Sequence, residues 1–265
     1  MTSLLTYLRV LIAAILILVS PSVWASSVNG DALVEARTLF VKGDYDEAHA
    51  RAAALGTSEA YLLASEAIAA KIILGYYDKP NQPARQARDL AEKAVALNPD
   101  NLDARFHHAV TFGLETQSTG VLKAWRKKMP TRMREEIETL RALAPNDPRG
   151  HALLGAWHLG IVNRVGERNA YSWYKASTDR GIALYEKAME LAGEDILIAS
   201  NYAASTILLG NPDYAQTLML HVAKMTPRTA PEKEVQSRMD SLLALYDEPR
   251  QLKRAAKKFL RNERF

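Results

Sequence analysis

The chain contains no cysteine. A disulfide framework, a thiolate nucleophile and a cysteine-ligated zinc knuckle are therefore excluded, and the fold must be stabilised by packing alone. The sequence also lacks a glycine-rich phosphate-binding loop, a Gly-x-Ser-x-Gly elbow and a kinase signature. These absences favour a non-enzymatic protein without a cofactor. A sugar-handling enzyme with paired carboxylates is the alternative, and it would need an acidic cleft.

The first 25 residues have the pattern of a secretory signal peptide. Arg9 precedes an uninterrupted apolar run, 10–19, and Val23 and Ala25 suit signal-peptidase cleavage before Ser26. We therefore predict a signal peptide over 1–25 and export, in a bacterium to the periplasm. The alternative is an uncleaved membrane anchor, because the mostly apolar stretch from 4 to 24 has about the length that spans a bilayer.

Basic residues are concentrated in two stretches. One of the 34 lysines and arginines lies in the predicted signal, which leaves 33 against 30 acidic residues. The stretches 121–134 and 250–265 each carry a net charge of plus six. Such patches attract anionic lipid headgroups, glycans or acidic proteins, and export argues against nucleic acid as a partner. The alternative is that each patch is a solvated helix face.

Repeated punctuation along the chain is typical of tetratricopeptide-like helix pairs. Asn98 and Pro99 close one helical stretch, and Pro145 and Asn146 close the next. The stretch 42–48 resembles the turn between two paired helices, with Gly43 in a left-handed conformation and Asp44 as helix cap. We predict an all-α solenoid of about five to six helix pairs over 26–249.

The third and fourth repeats are longer than the others. Pro99 and Pro145 are 46 residues apart, and Pro145 and Gly193 are 48 apart, whereas Gly193 and Pro227 show the usual 34. Insertions at the same point of successive repeats emerge on one edge of a solenoid. We predict a partner-binding basic edge formed by Lys123, Trp125, Arg126, Lys127, Lys128, Arg164, Arg168 and Trp173. The alternative is that the tryptophans pin the insertions to the body.

The first helix of each pair should line a concave groove. By the repeat register its floor consists of Leu62, Glu66, Phe106, Val110, Ala152, Ala156, Ser200 and Ala204. This floor is mostly apolar, so the predicted ligand is an amphipathic helix or an apolar peptide of a protein partner. The alternative is that a terminal segment of the chain itself fills the groove.

The last stretch, 250–265, reads as a basic amphipathic helix. Leu252, Ala255, Ala256 and Phe259 share one face, and lysines and arginines occupy the other. Terminal repeats need a helix with a polar outer face, so we predict a capping helix. The alternative is that this helix lies on an anionic membrane.

Four histidines fall on the first helices of two adjacent repeats, at positions 107, 108, 151 and 158. Residues seven apart share a helix face, so imidazoles from both repeats could converge. No His-Glu-x-x-His pairing and no carboxylate spacing accompanies them, and we therefore predict no metal site.

Several short segments resemble the tetratricopeptide-like family of the regulators of microtubule dynamics, over about 90–247. The matching residues are Leu153, Leu154, Gly155 and Trp157, the helical stretch 183–188, and Pro227, Thr229, Glu232, Lys233 and Gln236. None of them forms a catalytic motif, so the resemblance implies an all-helical binding scaffold without an active site. The predicted function is a non-enzymatic protein-binding scaffold of the cell envelope. The alternative is a peripheral binder of anionic membrane or envelope polymer, and the third is an enzyme or metal-binding protein.

Overall fold

The computed structural model describes residues 21–265, and this part of the chain consists of helices and connecting turns without a strand. The helices are α1 Pro21–Lys42, α2 Tyr45–Ala53, α3 Ser58–Ile73, α4 Asn81–Leu97, α5 Leu102–Ser118, α6 Val121–Arg126, α7 Met129–Leu143, α8 Pro148–Val165, α9 Glu167–Tyr174, α10 Thr178–Ala192, α11 Ile196–Leu208, α12 Pro212–Lys224, α13 Ala230–Leu243 and α14 Pro249–Leu260. The predicted all-α, solenoid-like fold class is confirmed.

The predicted signal peptide can be followed only in part. Residues 1–20 lie outside the described residues, and the predicted cleavage point between Ala25 and Ser26 falls within α1. Within 21–265, no helix is both long enough and apolar enough to cross a bilayer.

Local signals explain where the first helices begin and end. The Thr57 hydroxyl accepts a hydrogen bond from the Ala60 N–H at 3.2 Å and caps α3. Gly43 between α1 and α2 has a φ of +94°, the left-handed conformation that the sequence predicts. Asp44 makes no side-chain capping hydrogen bond to α2. Asp44 therefore occupies the predicted N-cap position, but the prediction that its side chain caps the helix is wrong, and its carboxylate is exposed.

The helices are arranged as stacked pairs. The pairs are α1 with α2, α3 with α4, α5 with α7, α8 with α10, and α11 with α12, and successive pairs pack on each other. Each predicted insertion forms a short helix of its own, α6 in the third pair and α9 in the fourth. The first helices of neighbouring pairs also touch, since α3 contacts α5 and α8 contacts α11.

Small residues allow the fourth pair to pack closely. A Cβ atom on Gly155 would lie 2.9 Å from Tyr185 Cδ2 and 3.1 Å from the Gly181 carbonyl oxygen. Ala188, the other predicted crossing position, is fully buried. The Tyr185 ring stacks on Tyr202 of the fifth pair, with centroids 4.8 Å apart. The crossing of α8 and α10 therefore tolerates no side chain at 155 or 181.

The two ends of the array meet. Helix α13 contacts α1, and a Cβ atom on Gly43 would lie 3.3 Å from Ala230 Cβ. Arg238 Nη1 on α13 donates a hydrogen bond to the Ile73 carbonyl, 165 residues earlier in the chain, at 3.0 Å. One buried apolar cluster accordingly extends from α2 to α14. The described helices thus form a closed array.

Helix α14 is the helix that the sequence predicts as a cap. It packs mainly against α11, the first helix of the fifth pair, and makes few contacts with α13. A sixth pair of α13 with α14 is therefore not formed. The physical reason is that the apolar face of α14 is buried against α11, which presents small residues and Tyr202 to it.

Candidate functional site

Half of the predicted groove floor is closed. Leu62, Ser200 and Ala204 are buried among neighbouring helices and do not line an open groove. Glu66 is half-buried, and its carboxylate pairs with Arg37 Nη1 at 2.6 Å. A partner therefore cannot reach these positions in the described conformation.

The other predicted floor residues form a half-buried apolar surface. The Arg149 guanidinium lies 4.6 Å from the centroid of the Phe106 ring, and Val110 packs against the cluster formed with α3 and α4. Ala152 and Ala156 pack against the buried cluster that includes α14. These four positions are therefore only partly accessible.

Helix α14 covers the neighbouring part of the array, along α11. Leu252 and Phe259 are only 1% and 5% exposed, and Ala255 and Ala256 between them are buried as well. Its opposite face is exposed and basic. The helix therefore buries its apolar face in a groove formed by α11 and the apolar cluster around it, which is the arrangement expected of a bound amphipathic helix. We use the word groove for this surface from here on.

Polar contacts hold the residues that follow α14. Gln117 Nε2 on α5 donates a hydrogen bond to the Leu260 carbonyl, and Asn262 Nδ2 donates one to Gln117 Oε1 at 2.9 Å. The Arg264 guanidinium lies 4.5 Å from the centroid of the Tyr76 ring, just after α3. Residues 249–265, which we call the C-terminal segment, thus contact α11, α5 and the turn that follows α3.

A buried arginine connects this segment to both ends of the array. Arg238 is only 8% exposed, and its Nη2 donates a hydrogen bond to the Glu263 carbonyl at 2.8 Å. Its guanidinium lies 4.8 Å from the Phe259 ring centroid. Burial lowers the pKa of Arg238, Glu234 opposes this change, and the nearby charge of Arg264 lowers the pKa further.

The predicted basic edge is exposed. Trp125 and Trp173 are 61% and 60% exposed, so the tryptophans do not pin the insertions to the body. Buried alanines perform that function instead. Ala124 of α6 packs against Phe112, and Ala170 of α9 lies in the cluster around Trp157.

Cations on this edge have few partners. All eight predicted edge residues are exposed. Among the described residues, no carboxylate lies within 4.0 Å of the charged groups of Lys123, Arg126, Lys127 and Lys128. Burial lowers the pKa of Arg164, and the neighbouring charge of Arg261 lowers it further. The edge therefore carries uncompensated positive charge beside exposed aromatic rings.

The two insertions lie close to each other. Trp157 Nε1 on α8 donates a hydrogen bond to the Pro130 carbonyl at the start of α7, at 2.9 Å. Arg134 Nη1, one turn later, donates one to the Tyr174 carbonyl at the end of α9, at 3.1 Å. Because α6 leads directly into α7, these bonds place both insertion helices at the same edge of the array.

The histidines occupy separate environments. His151 Nε2 lies 2.8 Å from the Pro145 carbonyl oxygen, and His108 Nδ1 pairs with Glu136 in a cavity of about 240 Å³. His107 is buried in α5. Among the described residues, no group of three or more His, Asp or Glu side chains is arranged to hold a metal ion.

His158 is held in its neutral form. It is 3% exposed, and its Nδ1 accepts a hydrogen bond from the Ser177 N–H at 3.2 Å. Burial, reinforced by the charges of Arg134 and Arg180, lowers the pKa of His158 to about 4.

We expect the protein to lose stability as the pH falls from 7 to 5. In the unfolded chain His158 binds a proton near its ordinary pKa of 6.5, whereas in the folded chain it does so only near 4. The contribution of neutral His158 to the free energy of unfolding is therefore complete above pH 6.5 and is lost progressively between pH 6.5 and 4. At pH 5 the loss from His158 is about 2 kcal/mol. Urea unfolding at pH 7.5, 6 and 5 measures it. His158→Asn keeps an acceptor for Ser177 without titrating and should make the dependence shallower, leaving the part due to His107, whose pKa is also lowered by burial. An unchanged slope would assign the whole loss to other groups.

Sequence reasoning missed Arg238 and Gln117. A signal for Arg238 was present, because Val235, Met239 and Leu242 form the apolar stripe of α13 and Arg238 falls on the same face. Gln117 gave no such signal. Its role depends on a segment 143 residues later in the chain.

The stacked pairs, the two insertion helices and the exposed edge define an α-helical scaffold of the repeat type. Residues 45–247 match the family model of regulator of microtubule dynamics protein 1-3, and the chain belongs to this family. The resemblance is confirmed, and it begins earlier than the sequence segments indicated. No curated protein matches the chain. Family membership supports a role in protein interaction in general terms.

Proposed function

We propose that this protein is an exported, non-enzymatic scaffold that binds a protein partner through its basic edge. The observation that carries the proposal is the coincidence of unpaired cations with exposed aromatic rings on α6 and α9. Tryptophan and arginine are the residue types most often found as interface anchors. The partner surface should be acidic, because complementary charge accelerates encounter and suppresses wrong partners.

The apolar groove is a second protein-binding surface in this proposal. Its floor suits a helix or an apolar peptide, because it already buries Leu252 and Phe259 of α14. The C-terminal segment covers it, however, whereas the edge is exposed. The first contact with a partner is therefore assigned to the edge.

The second candidate function is binding to an anionic membrane or envelope polymer. Leu122 and Trp125 are 69% and 61% exposed on the same short helix as Lys123 and Arg126, a combination that suits a lipid interface. Vesicles with and without anionic lipid distinguish the candidates. Sedimentation of the protein with anionic vesicles alone, without a protein partner, would favour this second function.

We further propose that the protein is located in the bacterial periplasm after cleavage before Ser26. The support is the apolar run 10–19 followed by small residues at the cleavage point. The intact mass of the exported protein tests it. A species that retains Arg9 would favour the anchored alternative. The family name mentions microtubules, but an exported protein would not meet cytoplasmic tubulin, so this partner is not carried over.

We expect glutamine at positions 123, 126, 127 and 128 to slow association with the partner. Removing four rim charges reduces electrostatic steering, so the association rate should fall about tenfold at low salt and lose most of its salt dependence. The partner is first identified by photocrosslinking from Trp125 and Trp173 in the native envelope. Stopped-flow association at several salt concentrations then measures the effect.

The matched control removes the same charge elsewhere. Glutamine at Arg250, Lys253, Arg254 and Lys257 changes four exposed cations of α14, outside the edge. This variant should associate at nearly the native rate. An equal loss in both variants would mean that net charge, and not the basic edge, determines association.

A further inference from the structure

The C-terminal segment is joined to the array in a way that allows it to leave. It follows α13 through residues 244–248 and contains the last helix, so its departure would not interrupt any of the five helix pairs. Its main contacts are with α11, and the residues beyond α14 reach α3 and α5. The basic face of α14 is turned to solvent. Only one face of one short helix and five following residues hold it in place.

The groove has a definite shape for its occupant. Leu252 and Phe259 are seven residues apart on α14 and are buried, with Ala255 and Ala256 between them. The backbone after α14 passes close to Gly75, where a Cβ atom would lie 3.0 Å from the Asn262 carbonyl oxygen. The floor therefore accepts a helix with large apolar residues two turns apart and small residues between, followed by an extended end.

The charges of the segment match the groove less well than its shape does. Arg261 lies near Arg164 of α8, and its positive charge lowers the pKa of Arg164 beyond the effect of burial. Arg264 lies near the buried Arg238 and lowers the pKa of Arg238 in the same way. Glu234 is the acidic neighbour of Arg238. An acidic side chain at 261 or 264 would attract the neighbouring arginine, whereas the native arginine repels it.

We propose that the C-terminal segment is a displaceable occupant of the groove, and that the partner which replaces it is an amphipathic helix with the same Leu-Ala-Ala-Phe face and acidic residues at its end. The partner competes with an intramolecular occupant. A short connection gives the tethered segment an effective concentration at the groove on the order of 1 mM. A partner helix that binds the groove no more tightly than the segment does is therefore excluded at lower concentrations. The segment thereby makes the groove selective.

Two synthetic peptides test this inference. One has the native sequence of 248–265, and the other carries Arg261→Glu and Arg264→Glu. Each is labelled with a fluorophore and titrated with the mature full-length protein. We expect the acidic peptide to bind about tenfold more tightly than the native peptide, because two repulsive contacts become attractive and this gain outweighs the lost contact between Arg264 and Tyr76. A third peptide with Leu252→Glu and Phe259→Glu should not bind.

A variant of the protein weakens the occupant without opening the core. Asn262→Ala in the protein removes the hydrogen bond from Asn262 Nδ2 to Gln117 Oε1 and places alanine at a φ of +58°, while the peptides keep Asn262; the position lies outside both the basic edge and the α14 apolar face. Both helical peptides should bind this variant several-fold more tightly than the native chain. Circular dichroism checks that it stays folded.

Hydrogen exchange shows where the peptide binds. At saturation with the acidic peptide, amides of 249–265 should exchange at least about tenfold faster, while those of α3 and α8 stay protected. Binding without faster exchange of the segment would overturn displacement. Failure of both helical peptides to bind either protein at about 1 mM would make the segment a permanent part of the fold. Equal affinities of the two peptides would overturn the acidic character of the partner. Arg164 of the basic edge lies near Arg261 of the segment, but the edge residues whose replacement tests the proposed function are Lys123, Arg126, Lys127 and Lys128. The peptide experiments leave these four residues unchanged, so failure of one proposal can be told from failure of the other.

Discussion

Alanine in place of Gly155 or Gly181 is expected to lower the free energy of unfolding by about 2 to 3 kcal/mol, because added atoms at a closed helix crossing force neighbouring groups apart. A Cβ atom at 181 would overlap the Leu159 side chain, and one at 155 would lie 3.1 Å from a backbone carbonyl oxygen and 2.9 Å from Tyr185 Cδ2. Leu159 and Tyr185 are each only 1% exposed. Neither side chain has free space into which it could move.

The same helix offers a matched control. Gly160 lies one turn after Gly155 in α8, and a Cβ atom there would meet nothing within 4 Å. Gly160→Ala should be neutral or stabilise by up to about 1 kcal/mol, because alanine is the better helix former. Urea unfolding followed by circular dichroism compares the three variants. Equal urea midpoints for the three variants would contradict the close crossing of α8 and α10. Ala188→Leu, at the other crossing position, should destabilise the protein as Gly155→Ala and Gly181→Ala do.

Alanine in place of Arg238 is expected to destabilise the protein by about 3 kcal/mol, because it leaves buried carbonyl groups without their donors and creates a cavity. The lost contacts are the hydrogen bonds to the Ile73 and Glu263 carbonyls and the stacking on Phe259. These contacts join the first repeats to the last. The C-terminal segment should therefore become more sensitive to proteolysis as well as less stable.

Arg250→Ala is the control for this variant. Arg250 is an exposed arginine at the start of α14, and its replacement should change the free energy of unfolding by less than about 0.5 kcal/mol. Thermal unfolding and limited trypsin digestion measure both effects. The Arg238→Ala protein could instead unfold at the native temperature and resist trypsin at 249–265 as the native chain does. In that case the contact between the two ends of the array does not depend on this side chain.

The two proposed binding surfaces differ in accessibility. The basic edge is exposed, with Trp125 and Trp173 in contact with solvent, whereas the groove is occupied. A partner that first meets the edge by charge and then inserts a helix into the groove would use both. The edge variants and the competing peptides change these steps separately, since they affect α6 on one side and the C-terminal segment on the other.

Much of the helical organisation could be predicted because its signals are local. The turn glycine at 43 and the lengths of the third and fourth repeats depend on residues near in sequence, and the structure places a helix pair or an insertion helix where they indicate. The cap at Asp44 failed because capping depends on a side-chain rotamer that the residue type alone does not determine. Gly181 was missed, since its neighbour Leu159 belongs to another helix.

The sequence by itself determined the fold class, the pairing of helices, the family and the two basic stretches, because hydrophobic period, turn residues and charge are properties of neighbouring positions. The tertiary structure alone decided which surfaces are open. Whether the groove is empty depends on where α14 packs, and that contact joins residues far apart in the chain. Burial of one apolar face against another depends on the shape of both, which no single segment specifies.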